Sequence, residues 1–177
     1  AERLGCGTMS LYRHVANKDE LVTFMLAAGP GPPPSPPAGT DWHGALMNWA
    51  RELWCVYHRH PWILQTASAG PPADPGQLAW LDAALAALSD TGLTEREKLS
   101  AVVAVLVFTR GSAALAIEAR GVDDREYPAL LRRLVDPARF PALAAAVDAG
   151  VFDQADDGPL TEFHSGLGQL LDGIAAQ

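Results

Sequence analysis

Residues 4–21 read LGCGTMSLYRHVANKDEL. Set at 100° per residue, the part from Thr8 to Val15 sorts into two sides. Leu11 and Val15 fall within about 40° of each other and make an apolar stripe. Arg13 lies opposite, flanked by Met9 and Ser10, with Tyr12 and His14 nearer the borders. A helix buried all round would not carry so many polar tips, and a fully solvated one would not need the leucine and valine. Thr8 is a natural N-cap. The Gly5-Cys6 step permits a tight turn between two helices set at a steep angle, as in a helix-turn-helix. The polar side suits a DNA major groove. An arginine can grip a guanine edge, Ser and Thr can bond bases or phosphates, and Met can touch a thymine methyl. Tyr12 can reach a phosphate through its hydroxyl, and Lys18 can add another phosphate contact.

The whole chain is acidic, with a formal charge of -8 over 177 residues. That excludes a general polycation but not a local DNA-binding patch. Residues 1–18 hold three cations (Arg3, Arg13, Lys18) against one acid (Glu2). The acidity therefore lies beyond residue 18. Hydrophobic residues make up 49%, enough for a sizeable core. Two cysteines are too few for a disulfide framework, so a reduced, cytoplasmic setting is expected. The longest apolar run, 101–108, is broken soon after by Thr109, Arg110 and Ser112, and no membrane partner is expected. The chain opens at Ala1, inside the motif, and further residues are expected upstream.

Helical spacing dominates and strand signals are weak. Asn17 caps a helix that runs to about Ala28, with Glu20 three residues on. GPGPPPSPPAGT, residues 29–40, cannot be a helix or an inner strand, because proline removes donors and fixes φ. It reads as an extended, stiff tether. The domains are then a head over 1–28, a linker over 29–40 and a body over 41–177. The body reads as five or six helices. One carries Trp42, Leu46, Trp49, Leu53 and Tyr57 and ends at Pro61; a second carries Leu78 to Leu88, with Gly92 as its C-cap. Thr94-x-x-Glu97 is a capping box opening a long apolar helix from 95 to about 119. Shorter helices follow near 127–135 and 141–149. The last, about 160–175, aligns Phe163, Leu167, Leu170, Leu171 and Ile174. The fold class is all-α.

The opening stretch resembles the second half of the helix-turn-helix of the tetracycline-repressor (TetR) family. The matching residues are Leu4-Gly5, then Leu11-Tyr12-x-His14-Val15, then Asn17-Lys18-Asp19-Glu20-Leu21. HPW at 60–62, the leucine-rich helix before Gly92-Leu93-Thr94 and LLDGI at 170–174 resemble the family's C-terminal domain more loosely. The resemblance implies a helix-turn-helix head joined to a larger helical-bundle domain for ligand binding and dimerisation. It implies that Thr8, Met9, Ser10, Arg13 and His14 face bases while Tyr12 and Lys18 hold phosphates. Helix 1 and most of helix 2 of the family pattern are not in this sequence.

The resemblance also implies a homodimer and a small-molecule pocket. The helix over 101–117 is apolar nearly all round and needs cover on more than one side. Gly111, Ser112, Ala113 and Ala114 permit close approach, and the final helix can complete a four-helix interface. For the pocket, Trp49, Trp54, Tyr57, His58 and Trp62 gather on the first body helix and its exit, and Phe108 and Arg110 sit on the long helix. The expected ligand-binding residues are Trp54, Tyr57, His58, Trp62, Phe108 and Arg110. Arg110 needs a partner in so apolar a stretch; a ligand carboxylate and a protein acid both fit. The expected effector is apolar or aromatic.

No cofactor, metal or catalytic residue is expected. Gly5-x-Gly7-x-x-Ser10 lacks a preceding strand and a third glycine. His58-x-His60 beside Cys55 does not share one helix face. There is no Gly-x-Ser-x-Gly and no His-Glu-x-x-His. The leading expectation is a ligand-responsive DNA-binding transcriptional regulator. It would be a repressor released from a palindromic operator by a small molecule. The alternative is a dimeric small-molecule-binding module without a working DNA-binding head. An all-helical enzyme is the weakest reading, because no nucleophile–base pair stands out.

Overall fold

A computed structural model describes residues 15–66, 74–120, 126–153 and 158–176, and all regular structure in them is helical. The helices start where a side-chain oxygen takes up an orphan amide of the first turn. Asn17 Oδ1 accepts from the Glu20 amide at 2.9 Å and opens α1, Lys18–Ala28. Asp41 Oδ1 accepts from the Gly44 amide at 2.8 Å and opens α2, Trp42–Arg59. A single turn, α3 (Trp62–Thr66), follows Pro61. Asp74 Oδ1 accepts from the Gln77 amide at 2.9 Å ahead of α4, Pro75–Ala87. The expected capping box is present: Thr94 and Glu97 bond reciprocally and open α5, Glu95–Glu118. The remaining helices, α6 (Tyr127–Leu134), α7 (Pro141–Asp148) and α8 (Pro159–Ala175), carry proline in the first turn, where its missing N–H costs nothing.

Two local features differ from the sequence reading. The turn α3 is an extra helix, making seven in the body among the described residues. Gly92 does not cap α4 directly. That helix ends at Ala87 with Leu88 as its cap, and the amides of Leu88, Ser89 and Thr91 bond carbonyls three residues back. This tightened exit delays the reversal to Gly92, whose φ of +68° lies in the left-handed region glycine tolerates.

The core forms around α5, which packs against α2, α4 and α8. Val102, Val105, Thr109 and Ala113 recur every three or four residues and are buried. Thr109 is satisfied there, since its hydroxyl donates to the Val105 carbonyl at 2.7 Å. Against this stripe α2 places Leu46, Trp49 and Val56, and α8 places Phe163, Leu167 and Leu171. Each such side chain contributes about 1.5–3 kcal/mol by leaving water. By length and composition α5 could cross a bilayer, yet its inner stripe is the centre of this bundle. Its outer side stays bare: Val107 is 63% exposed and Leu115 70%.

The extended segment 29–40 is seated on the body. Pro30, Pro32 and Pro34 lie along α2 and Trp80, and Trp80 Nε1 donates to the Gly31 carbonyl at 2.9 Å. At the end of α1, Gly76 of α4 comes so close to Ala27 that a Cβ there would lie 2.5 Å from the Ala27 carbonyl oxygen. The helix that follows the recognition motif is therefore docked directly on the bundle.

Candidate ligand-binding site

A cavity of about 230 Å³ opens between α1, the start of the proline segment, α2, α4 and α5. Its size falls just below the roughly 300 Å³ at which ordinary small-molecule pockets begin. Trp49 and Trp80 form one wall. Their rings meet edge to face at 5.8 Å, and Trp49 Nε1 donates to the Trp80 carbonyl at 2.9 Å. Trp80 is held a second time through its own Nε1 on Gly31, so this wall is rigid. Leu26 of α1 and Pro30 also line the cavity, which places the head-proximal helix in contact with any occupant.

Only three polar side chains line it: Tyr57, Gln77 and Arg110. The guanidinium of Arg110 donates to the Leu64 carbonyl. Burial pushes the Tyr57 hydroxyl above its ordinary value of 10.0, and the charge of Arg110 pulls the other way. Tyr57 is thus a neutral phenol at physiological pH, able to donate or accept. What the site offers is apolar enclosure with three groups to orient a ligand.

Of the six ligand-binding residues expected from sequence, Tyr57 and Arg110 line this cavity. Trp54, His58 and Phe108 gather on the other side, against α8. Trp54 stacks on His58 at 3.5 Å and on Phe163 at 5.8 Å, and Phe108 stacks on Phe163 at 5.8 Å. A Cβ at Gly166 would lie 2.7 Å from Phe108 Cζ, so that glycine makes room for the ring. His58 Nδ1 donates to the Trp54 carbonyl at 2.9 Å. Burial lowers its pKa below 6.5, the Trp54 carbonyl opposes this, and Arg120 adds to the lowering. Trp62 packs under Gly29 at the end of α1. Trp80, Gln77, Leu26 and Pro30 were not anticipated as lining. The spacing 49, 53, 57 was the available signal, since these positions share one helix face.

Of the expected DNA-binding residues, Thr8, Met9, Ser10, Tyr12, Arg13 and His14 lie outside the described residues. Lys18 is the exposed first residue of α1. Val15, assigned to the apolar stripe, is buried. Among the described residues no three His, Cys, Asp or Glu side chains converge as a metal site would require.

Comparison with known proteins bears on what this architecture is. The family model for the tetracyclin repressor-like C-terminal domain matches residues 33–177. The HTH-type transcriptional repressor DrrR1 of Streptomyces coeruleorubidus is 32% identical over 186 residues, covering 98% of this chain and 67% of that protein. The chain belongs to the TetR family. It is a transcriptional regulator of the ligand-responsive repressor type. This TetR-family chain is also 32% identical over 182 residues to the tetracycline repressor protein class A from transposon 1721 of Escherichia coli, covering 99% of the chain and 78% of the relative. The fold matches the solved structure of the TetR-family protein ActR of Streptomyces coelicolor in complex with (S)-DNPA. The TM-score is 0.78 at 21% identity, covering 99% of this chain and 84% of ActR. These TetR-family relatives are transcriptional regulators.

Proposed function

We propose that the cavity beside Trp49 and Trp80 is the effector site, and that its occupant controls the grip of the helix-turn-helix on a palindromic operator. The carrying observation is that one cavity is walled both by the body helices and by Leu26 and Pro30, which lead directly from the head. A ligand that fits only when α1 is displaced favours the displaced state in proportion to its difference in affinity for the two arrangements. The effector is apolar or aromatic, as twelve of the fifteen lining residues are apolar or aromatic and lack a polar tip aimed at solvent. Tyr57 and Arg110 orient it. Thr8, Met9, Ser10, Arg13 and His14 face bases, and Tyr12 and Lys18 hold phosphates. The domain division stays at 1–28, 29–40 and 41–177, and the protein works in the cytoplasm.

Two heads are needed to read two half-sites, so the protein acts as a homodimer. The bare apolar side of α5 supports this. Val107 and Leu115 flank Gly111, around which a Cβ would meet nothing within 4 Å. A second copy laid there, with α8 completing a four-helix contact, removes that surface from water. Gel-shift assays of the full-length protein against the promoter region flanking its own gene test the reading. Arg13→Ala is expected to relax base preference, and Lys18→Ala to weaken binding to all sequences. A full-length protein indifferent to every duplex at low salt overturns it.

A further inference from the structure

We propose that the effector is an aryl carbonyl compound: a flat ring system against Trp49 and Trp80 whose neutral carbonyl oxygen accepts a hydrogen bond from the Tyr57 hydroxyl. This rests on reading the cavity as the effector site and names the class of compound that fills it. Tyr57 is only 5% exposed and lines the cavity, and its hydroxyl has no hydrogen-bond partner among the described residues. Buried polar groups are as a rule paired, and one left alone in apolar surroundings costs free energy. Thr109, equally buried, shows the ordinary solution, since its hydroxyl donates to a carbonyl of its own helix. The Tyr57 hydroxyl sits at the far end of a rigid ring, out of reach of the carbonyls of α2. The group that pairs with it therefore comes from the cavity.

Three further observations select the ligand. Arg110 is already engaged by the Leu64 carbonyl and by a further interaction, so it asks nothing of an occupant. Its charge nevertheless acts on Tyr57 against the pull of burial, which polarises the hydroxyl toward donation and leaves the ligand to supply the acceptor. A neutral carbonyl does so at a smaller desolvation cost than a charged group in a lining this apolar. Trp49, Leu53 and Tyr57 share one face of α2, and Tyr57 stands about 12 Å beyond Trp49 along the axis. The oxygen therefore belongs on the edge of the ring system remote from the indoles. Those two indoles meet edge to face and are each held by a hydrogen bond, and such a preformed wall lowers the ordering cost of binding.

Equilibrium dialysis of the full chain compares fluorenone with fluorene, the same flat plate with and without the carbonyl oxygen, in the wild type and in Tyr57→Phe. The substitution is expected to weaken fluorenone binding about fivefold to tenfold, as loss of one hydrogen bond in a shielded site does, and to leave fluorene binding within about twofold. The carbonyl stretch of bound fluorenone, read by infrared difference spectroscopy, is expected at lower frequency in the wild type than in Tyr57→Phe; a packing role for Tyr57 would not produce that shift. Because the hydroxyl holds no bond in the free chain, Tyr57→Phe is expected to melt at or above the wild-type temperature. A variant that melts lower, or does not fold, gives the hydroxyl a partner within the protein and overturns the proposal. A substitution that weakens both compounds alike, or neither, overturns the carbonyl assignment and leaves the cavity as an apolar effector site. Binding of neither compound, nor of any hydrophobic aromatic up to its solubility, overturns both readings.

Discussion

Replacing Gly76 by alanine tests whether α1 is docked on α4 as tightly as the coordinates require. A methyl at this position would sit 2.5 Å from the Ala27 carbonyl oxygen, 3.0 Å from its Cα and 3.1 Å from its carbonyl carbon. Ordinary contact begins at 3.4 Å, so the C-terminal turn of α1 must withdraw by up to 0.9 Å. All three atoms are backbone, and no rotamer change relieves the clash. Overpacking of this kind costs about 1–3 kcal/mol. The gain in helix propensity from losing a glycine offsets at most about 1 kcal/mol. At full offset a net loss of up to about 2 kcal/mol remains, which for a chain of this size lowers the melting temperature by up to about 8 °C. Gly168→Ala is the control. A Cβ there meets nothing within 4 Å inside α8, so it is expected to stabilise by about 0.5–1 kcal/mol. Thermal melts followed by circular dichroism give the two signs. The displacement also reaches Lys18, about 14 Å away along α1, and moves the neighbouring Leu26 of the cavity wall, so operator affinity is expected to fall. A Gly76→Ala protein that melts at or above the wild-type temperature would refute the close docking.

Three further outcomes are expected. Trp80→Phe keeps an aromatic wall but removes the donor to Gly31, costing about 0.5–1.5 kcal/mol; hydrogen exchange in residues 29–33 should quicken, and unchanged protection there would detach the linker's seat from this bond. Val107→Glu places a charge on the bare side of α5, where the single chain leaves it in water, so light scattering should report monomer with helicity intact; a dimer persisting at micromolar concentration moves the interface elsewhere. His58 is held below pKa 6.5 by burial, so the unfolded chain binds its proton at a higher pH than the folded one. The associated stability is complete above pH 6.5 and is lost as pH falls through the folded-state value. Melting temperatures should therefore drop between pH 7.5 and 5.5, and His58→Gln should make that drop smaller; an identical drop in the variant would assign it to other groups.

Much of the molecule could be read along the chain. Asn17, Thr94 and Glu97 announce their helices because capping joins atoms three residues apart, and the structure makes those same bonds. Phe163, Leu167 and Leu171 line up on α8 because the helical period puts them there, and they are buried. The motif in residues 4–21 pointed to the family that comparison of the whole chain then showed. The site was far less legible. Trp54 and Tyr57 are three residues apart on α2, about 60° around the helix, and equally aromatic. One turns toward Phe163 on α8 and the other toward the cavity. Periodicity shows that both sides of α2 are apolar but not which neighbour stands on each. The same holds for α5, where Phe108 and Arg110 separate to opposite neighbours. Arg110 announced that it needed a partner, and only folding brought it the Leu64 carbonyl, 46 positions earlier in the chain.

What linear order settles here is the set of helices and their apolar stripes, because backbone hydrogen bonds and caps act within a few residues. Where the bundle leaves a hollow, and that Leu26, Pro30, Trp80 and Arg110 meet around it, follows from how α1, α2, α4 and α5 stack. A void is defined by side chains brought together from remote parts of the chain, and no local rule contains its position.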